Sequence, residues 1–143
     1  MTKQAFEFIK KQYKAPLRNV NILMLGISYR GNVGDTRFTP VEILYKFLLE
    51  EGANISFTDA YLDYWDEIES KVPTIISSKL IEDNELIIIT SFHSDYKTDK
   101  TLHDTLNNTE GKYIIDTLGL LSEKQINSLR KKHTVKVLGR GNL

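Results

Sequence analysis

Two arginines and two glycines fall within the segment Ser28-Tyr-Arg-Gly-Asn-Val-Gly-Asp-Thr-Arg-Phe38, directly ahead of Thr39-Pro40. Arg30 and Arg37 carry planar guanidinium forks, each able to hold two oxygens of a phosphate at once. Gly31 and Gly34 allow the backbone to fold tightly around a ligand. Thr39-Pro40 is a helix start, with Thr39 as N-cap and Pro40 at the first helical position, and a helix start favours an anion. The pattern suits a phosphate or diphosphate. A purely structural use of the same residues stands beside it: Asp35 pairing with Arg37, Arg30 solvated, and the glycines only turning the chain.

Other chemistries lack their residues. Gly26, Gly31 and Gly34 do not form Gly-x-Gly-x-x-Gly, and there is no Gly-Lys-Ser/Thr, so neither a dinucleotide fingerprint nor a Walker loop is present. The chain has no cysteine, which excludes disulfides, thiolate metal sites and a cysteine nucleophile. Gly-x-Ser-x-Gly is absent, and no His/Asp/Glu set has metal-ligand spacing, so no metal is expected. Asp59 reads as a strand-end turn residue. His93, in Ser91-Phe-His-Ser-Asp-Tyr96, could bond a ligand or Asp95, with a backbone-satisfied structural histidine favoured. His103 and His133 read as surface residues. Asp63, Asp66, Glu67 and Glu69 around Trp65 read as a solvated helix face.

The elements that must position the arginine loop alternate along the chain. Residues 3–14 predict a helix with Ala5, Phe6, Phe8, Ile9 and Tyr13 on one face, ending before Pro16. It must dock on its own domain or on a neighbour. Asn19–Gly26 is a nearly continuous apolar run, as in a strand buried on both faces. After the loop, Thr39 and Glu42 have capping-box spacing, Val41, Leu44, Tyr45, Leu48 and Leu49 form the buried stripe, and Gly52 ends the helix. Ala53–Asp59 is the second strand. Helices follow near 63–70, 77–82 and 99–106, with strands at 85–90, 112–116 and 134–138. Ser122 and Gln125 cap a last helix, stapled by Leu121 and Ile126. Such alternation predicts an α/β fold: a three-layer, Rossmann-like, mostly parallel sheet of five or six strands with helices on both faces.

Composition sets the outer bounds. At 143 residues, 41% hydrophobic and 27% charged, the chain is sized for a single core. Its 19 basic and 19 acidic side chains cancel, so there is no whole-protein field for nucleic acid and any anion site must be local. The longest apolar runs fall far short of the roughly 20 residues needed to span a bilayer, and Met1–Lys14 has no apolar signal core. A cytoplasmic protein without membrane or nucleic-acid partners is the expectation.

Leu25-Gly-Ile-Ser-Tyr-Arg-Gly-Asn-Val-Gly-Asp-Thr-Arg-Phe-Thr-Pro40 closely resembles a segment of the nucleotide-sugar 6-dehydrogenases, the UDP-glucose, GDP-mannose and UDP-N-acetylhexosamine dehydrogenases. In their C-terminal domain Gly-x-x-Tyr/Phe-Lys leads into Asp-x-Arg-x-Ser-Pro and a helix. Glu51–Asp59 resembles that domain's second strand, His93-x-x-Tyr96 a turn after a later strand, and Gly139-Arg-Gly141 the end of the last strand. The resemblance runs from about Val20 to the C-terminus. There are departures: Arg30 stands where the family has lysine, Asp59-Ala60 replaces Asp-Pro, and Asp116-Thr-Leu-Gly119 replaces Asp-x-Arg-Asn.

The resemblance implies a nucleotide-sugar-binding domain, residues 16–143, preceded by the end of a connecting helix, residues 1–15. Its parent enzyme would oxidise a sugar's primary alcohol to a uronic acid with NAD, through a cysteine in a middle helical domain and an N-terminal NAD-binding domain. This chain would bind no cofactor and hold no catalytic residue. Substrate contacts would come from Tyr29, Arg30, Arg37 and Arg140, and Gly31, Gly34, Asp35 and Thr39 would support the loop. A homo-oligomer is compatible with this. The competing expectation is a stand-alone regulatory or interaction domain that kept the fold without the ligand.

Overall fold

A computed structural model describes residues 2–13, 15–28, 31–36 and 39–138. Five parallel strands form its sheet: β1 (Asn21–Leu25), β2 (Asn54–Thr58), β5 (Leu86–Ile89), β6 (Tyr113–Asp116) and β7 (Thr134–Val137). They lie in the order β2-β1-β5-β6-β7. The chain moves outward from β1 to β2, then returns across β1 to pair β5 on its other side. That reversal makes the carboxyl ends of β1 and β5 the switch point of the sheet, where the loops leaving the two strands diverge and a crevice opens.

The continuous apolar run in β1 is explained by two-sided burial. Leu23 and Leu25 join one core cluster, together with side chains of the helices α3 (Ser78–Glu82), α5 (Lys100–Asn107) and α6 (Glu123–Leu129). Ile22 and Met24, one residue out of phase, join a second cluster on the opposite face. Alternate side chains of a strand point to opposite faces, so a strand sandwiched by helices must be apolar at every position. A short helix α4 (Asp95–Thr98) follows β5.

The second face is covered by α1 (Thr2–Tyr13) and α2 (Pro40–Glu50). Ile9 is fully buried in this cluster, the Phe6 and Phe47 rings lie 4.8 Å apart, and Tyr13 meets Tyr113 of β6 edge-on at 4.8 Å. The Tyr13 hydroxyl also donates to Glu85 Oε2 at 3.2 Å. Of the two docking partners open to α1, it takes its own domain, and it shields the β6 side of this face beyond the reach of α2.

Three sequence expectations need correction. Residues 63–70 are not a helix: β3 (Tyr64–Trp65) and β4 (Ser70–Lys71) pair antiparallel around a 3-10 turn, Asp66–Ile68. Trp65 is buried against Tyr45 and Phe57, and this one aromatic anchor overrides the local helical pattern. The four carboxylates around it are exposed, as expected, but on a hairpin. The Thr39–Glu42 capping box does not form. Thr39 Oγ1 accepts from the Val41 N–H at 3.1 Å, while the Glu42 carboxylate pairs with Lys46 one turn on, at 2.7 Å. Leu49, placed in the α2 stripe, is exposed. At α6 the capping box of Ser122 and Gln125 is present, and Leu121 and Ile126 are both buried.

If α1 is integral to the core, Ile9→Ala should lower unfolding free energy by about 2–5 kcal/mol, as for other buried large-to-small changes. Urea denaturation of the two proteins measures this, and an unchanged midpoint would place α1 outside the cooperative unit.

Candidate functional site

Three chain segments meet at the switch point: the loop leaving β1, the turn after β2 and the turn after β5. Glycines let them touch. Gly26 has φ of +103°, and a Cβ there would sit 2.2 Å from the Ser91 Cβ. At Gly31 an added Cβ would lie 2.2 Å from the carbonyl oxygen of Phe92, and at Gly34 it would lie 2.4 Å from that of Tyr61. Real side chains do not approach so closely, so the β1 loop crosses the other two turns only because these positions have no Cβ. Gly31 and Gly34 thus let the loop touch these two turns.

Beneath the crossing lies Asp59, fully buried at the end of β2. Its Oδ2 accepts the N–H of Ile27 at 2.8 Å, the N–H of Ser28 at 3.0 Å and the hydroxyl of Ser28 at 2.8 Å. Its Oδ1 accepts the N–H of Tyr61 at 2.8 Å. His93 Nε2 lies 3.2 and 3.1 Å from the two oxygens. Burial by itself would raise the pKa of this carboxyl. The hydrogen bonds from His93, Tyr61, Ile27 and Ser28 outweigh it and hold Asp59 below its ordinary value.

His93 is also fully buried, from the other side of β1. Its Nδ1 accepts the N–H of Asn32 at 2.7 Å. A nitrogen that accepts carries no proton, so the hydrogen-bond network assigns the proton to Nε2, which donates it to Asp59. The imidazole contacts the ring of Tyr61, at 4.7 Å, and that of Tyr96, at 5.6 Å, both tilted. Burial pushes the Tyr96 phenol well above its ordinary range, with the Asp59 charge adding to the effect. Asn32 in turn accepts from the N–H and hydroxyl of Ser94 through its Oδ1, at 2.9 and 3.1 Å. Asp95, one of the partners the sequence leaves open to His93, instead accepts from the Tyr61 hydroxyl at 2.7 Å.

In front of this network opens a cavity of about 380 Å3, bordered by Ser28, Thr39, Val41, Thr90, Phe92 and Leu118. Strand-end hydroxyls line its floor: Thr90 Oγ1 donates to the Leu25 and Gly26 carbonyls, and Ser91 Oγ to that of Ser28. The positive end of α2 borders it, fixed by the Thr39 cap. Phe92 is half exposed at the lip. Among the described residues no group of three His, Asp or Glu side chains could hold a metal ion, and no helix is long and apolar enough to cross a membrane.

The expected ligand contacts Tyr29, Arg30, Arg37 and Arg140 lie outside the described residues, as does the Arg37 side of the alternative pairing with Asp35. Thr39 caps α2 as expected, and Asp35 is half-buried in the loop. Asp59 and His93, read from sequence as a turn residue and a backbone-satisfied histidine, are the two residues that organise the rim. One signal pointed to them: each follows a strand end, and β2 and β5 prove to flank β1. His133 is a correction too. It is buried, taking the Lys112 N–H on Nδ1 at 3.1 Å, with Nε2 2.7 Å from the Leu106 carbonyl. His103 is half-buried, with Nε2 2.9 Å from the Tyr96 carbonyl.

The model of the UDP-glucose/GDP-mannose dehydrogenase family, UDP binding domain, matches residues 23–123, which include every part of this rim. The chain belongs to that family. It is 31% identical over 132 residues to the UDP-N-acetyl-D-mannosamine dehydrogenase of Methanococcus maripaludis, covering 90% of this chain and 29% of the relative. It is 28% identical over 115 residues to the GDP-mannose 6-dehydrogenase of Pseudomonas syringae pv. tomato, covering 71% of this chain and 25% of the relative. The fold is shared with the NDP-N-acetyl-D-galactosaminuronic acid dehydrogenase of Methanosarcina mazei Go1, with a TM-score of 0.74 at 18% identity over 97% of this chain and 28% of that one. This chain therefore spans less than a third of the length of the curated relatives it matches.

Because the Asp59 pKa is lowered in the fold, its charge contributes stability at pH values above the unfolded value of 3.8, and that contribution is lost as pH falls through 3.8 toward the folded value. Asp59→Asn should cost about 1–3 kcal/mol at neutral pH and flatten this acid dependence. Urea melts from neutral to acidic pH measure both, and an unaltered acid slope in the variant would remove Asp59 as the source.

Proposed function

We propose that this domain binds the nucleoside diphosphate part of a nucleotide sugar, within a longer NAD-dependent nucleotide-sugar 6-dehydrogenase that oxidises a sugar's primary alcohol to a uronic acid. The observation that carries this reading is the cavity at the switch point, bordered by Ser28 of the β1 loop and by Thr39 to Val41 at the start of α2; the same loop carries Arg30 and Arg37 in its sequence. Parallel sheets bind ligands at that place, and a helix start favours phosphate there. Zero net charge concentrates the attraction in the loop itself.

In this reading Arg30, beside Tyr29 in the chain, takes the diphosphate or the adjoining sugar. Arg37 reaches phosphate or braces the loop against Asp35, and Arg140, in the segment after β7, reaches the base or ribose. Residues 1–15 are the end of a connecting helix and residues 16–143 the binding domain. NAD does not fit the loop after β1, whose glycines stand at 26, 31 and 34 rather than in a dinucleotide fingerprint, so NAD belongs on a companion domain. With no cysteine in the chain, a covalent thiohemiacetal step belongs to a companion domain as well. This domain's own work is to bind and orient.

Thermal-shift and calorimetric titration with UDP, GDP and their sugars tests the proposal, because a ligand that binds only the folded state raises the melting temperature. UDP or GDP should stabilise the domain, and Arg30→Ala should weaken binding about ten- to a hundredfold, as expected for a charge-assisted contact. No shift with any nucleotide would favour the interaction-domain alternative.

A further inference from the structure

The geometry points to Asp59, His93 and Asn32 as a positioning relay that sets the conformation of the ligand loop. This rests on the proposed nucleotide-binding role of that loop. The three residues are distant in sequence and none lines the cavity, yet together they hold the loop on both sides of Tyr29-Arg30. On the near side, Ile27 and Ser28 are bound to the Asp59 carboxylate through two N–H groups and a hydroxyl. On the far side, the N–H of Asn32 is bound to His93 Nδ1, whose Nε2 returns to the same carboxylate. The loop's two tether points are therefore wired to one buried charge.

Three further features specialise the relay for the loop rather than for the core. Asn32 sits at φ of +61°, a left-handed conformation that asparagine tolerates better than most residues, and its side chain ties the same tip to Ser94. Gly31, next to it, rests on the Phe92 carbonyl, so the tip has no room to shift inward. The His93 ring packs against the rings of Tyr61 and Tyr96, and together with the bond to Asp59 this orients the lone pair of Nδ1. Holding a binding loop in its bound shape beforehand raises affinity by lowering the ordering cost of association.

The two halves of the relay can be cut separately at one position. In His93→Gln the longer amide can still donate to Asp59, but the acceptor for Asn32 is lost. In His93→Asn the amide oxygen can replace Nδ1 toward Asn32, but the donor to Asp59 is lost. Calorimetry with UDP or GDP, whichever the wild-type chain binds, is paired with thermal melting and amide hydrogen exchange. The expected result is a crossed pattern: His93→Gln melts near wild type but binds roughly tenfold more weakly, while His93→Asn melts lower yet binds within about threefold of wild type. Asn32→Gly, which keeps the left-handed backbone, should weaken binding with little change in melting. In His93→Gln the Asn32 amide should exchange faster while β1 and β5 amides keep their protection.

Affinities that simply follow melting temperature in both His93 variants, or a His93→Gln variant that binds as wild type does, would overturn the relay. If the wild-type chain binds neither nucleotide, the binding proposal fails on its own. Hydrogen exchange then decides the relay: unchanged Asn32 protection in His93→Gln overturns it, and lost protection supports its hold on the loop.

Discussion

A carboxylate with no access to water is held ionised at the end of β2 by donors from three separate segments. Burying such a charge is costly unless its lone pairs are filled, and here N–H and O–H groups of Ile27, Ser28, Tyr61 and His93 fill them. Removing any one segment would leave the charge short of donors, so each is tied to the position of the others. The β1 loop, the β2 turn and the β5 turn form one rigid rim for this reason, although no secondary structure joins them. Asp116, buried at the end of β6, uses the same device locally: its carboxylate accepts from Leu118 and Leu121 and folds only its own turn. The difference is reach, because Asp59 organises residues on both sides of β1.

That reach depends on the strand order. Only with β2 and β5 on either side of β1 can a residue leaving β2 meet one leaving β5 beneath the β1 loop. The order in turn depends on covering both faces of a sheet whose central strands are apolar throughout. Helices α3, α5 and α6 cover one face, and α1 with α2 the other. The terminal helix is therefore linked to the site through the core: it completes the face whose other helix, α2, presents its positive end to the cavity.

The UDP-glucose/GDP-mannose dehydrogenase family, UDP binding domain, is represented here by a domain that presents a built rim at its switch point. Its buried polar groups are spent on fixing backbone, and its cavity is floored by strand-end hydroxyls and lipped by an aromatic ring.

Periodicity and punctuation were enough to determine the α/β alternation, the two-sided burial of β1, the start of α2 at Thr39-Pro40 and the cap of α6, because each depends on residues within a few positions of one another. The arginine–glycine loop and its family resemblance were legible for the same reason, being contiguous. Local pattern misled at residues 63–70, where Trp65 found partners in α2 and β2 and a hairpin replaced the helix. It also misled at Glu42, drawn to Lys46, and at His133, drawn inward by backbone groups of Leu106 and Lys112. Above all, the pairing of Asp59 with His93 and the tether to Asn32 were decided by tertiary structure alone. They join residues 34 and 61 positions apart, and nothing short of the spatial order of the strands brings a buried charge and its donors together.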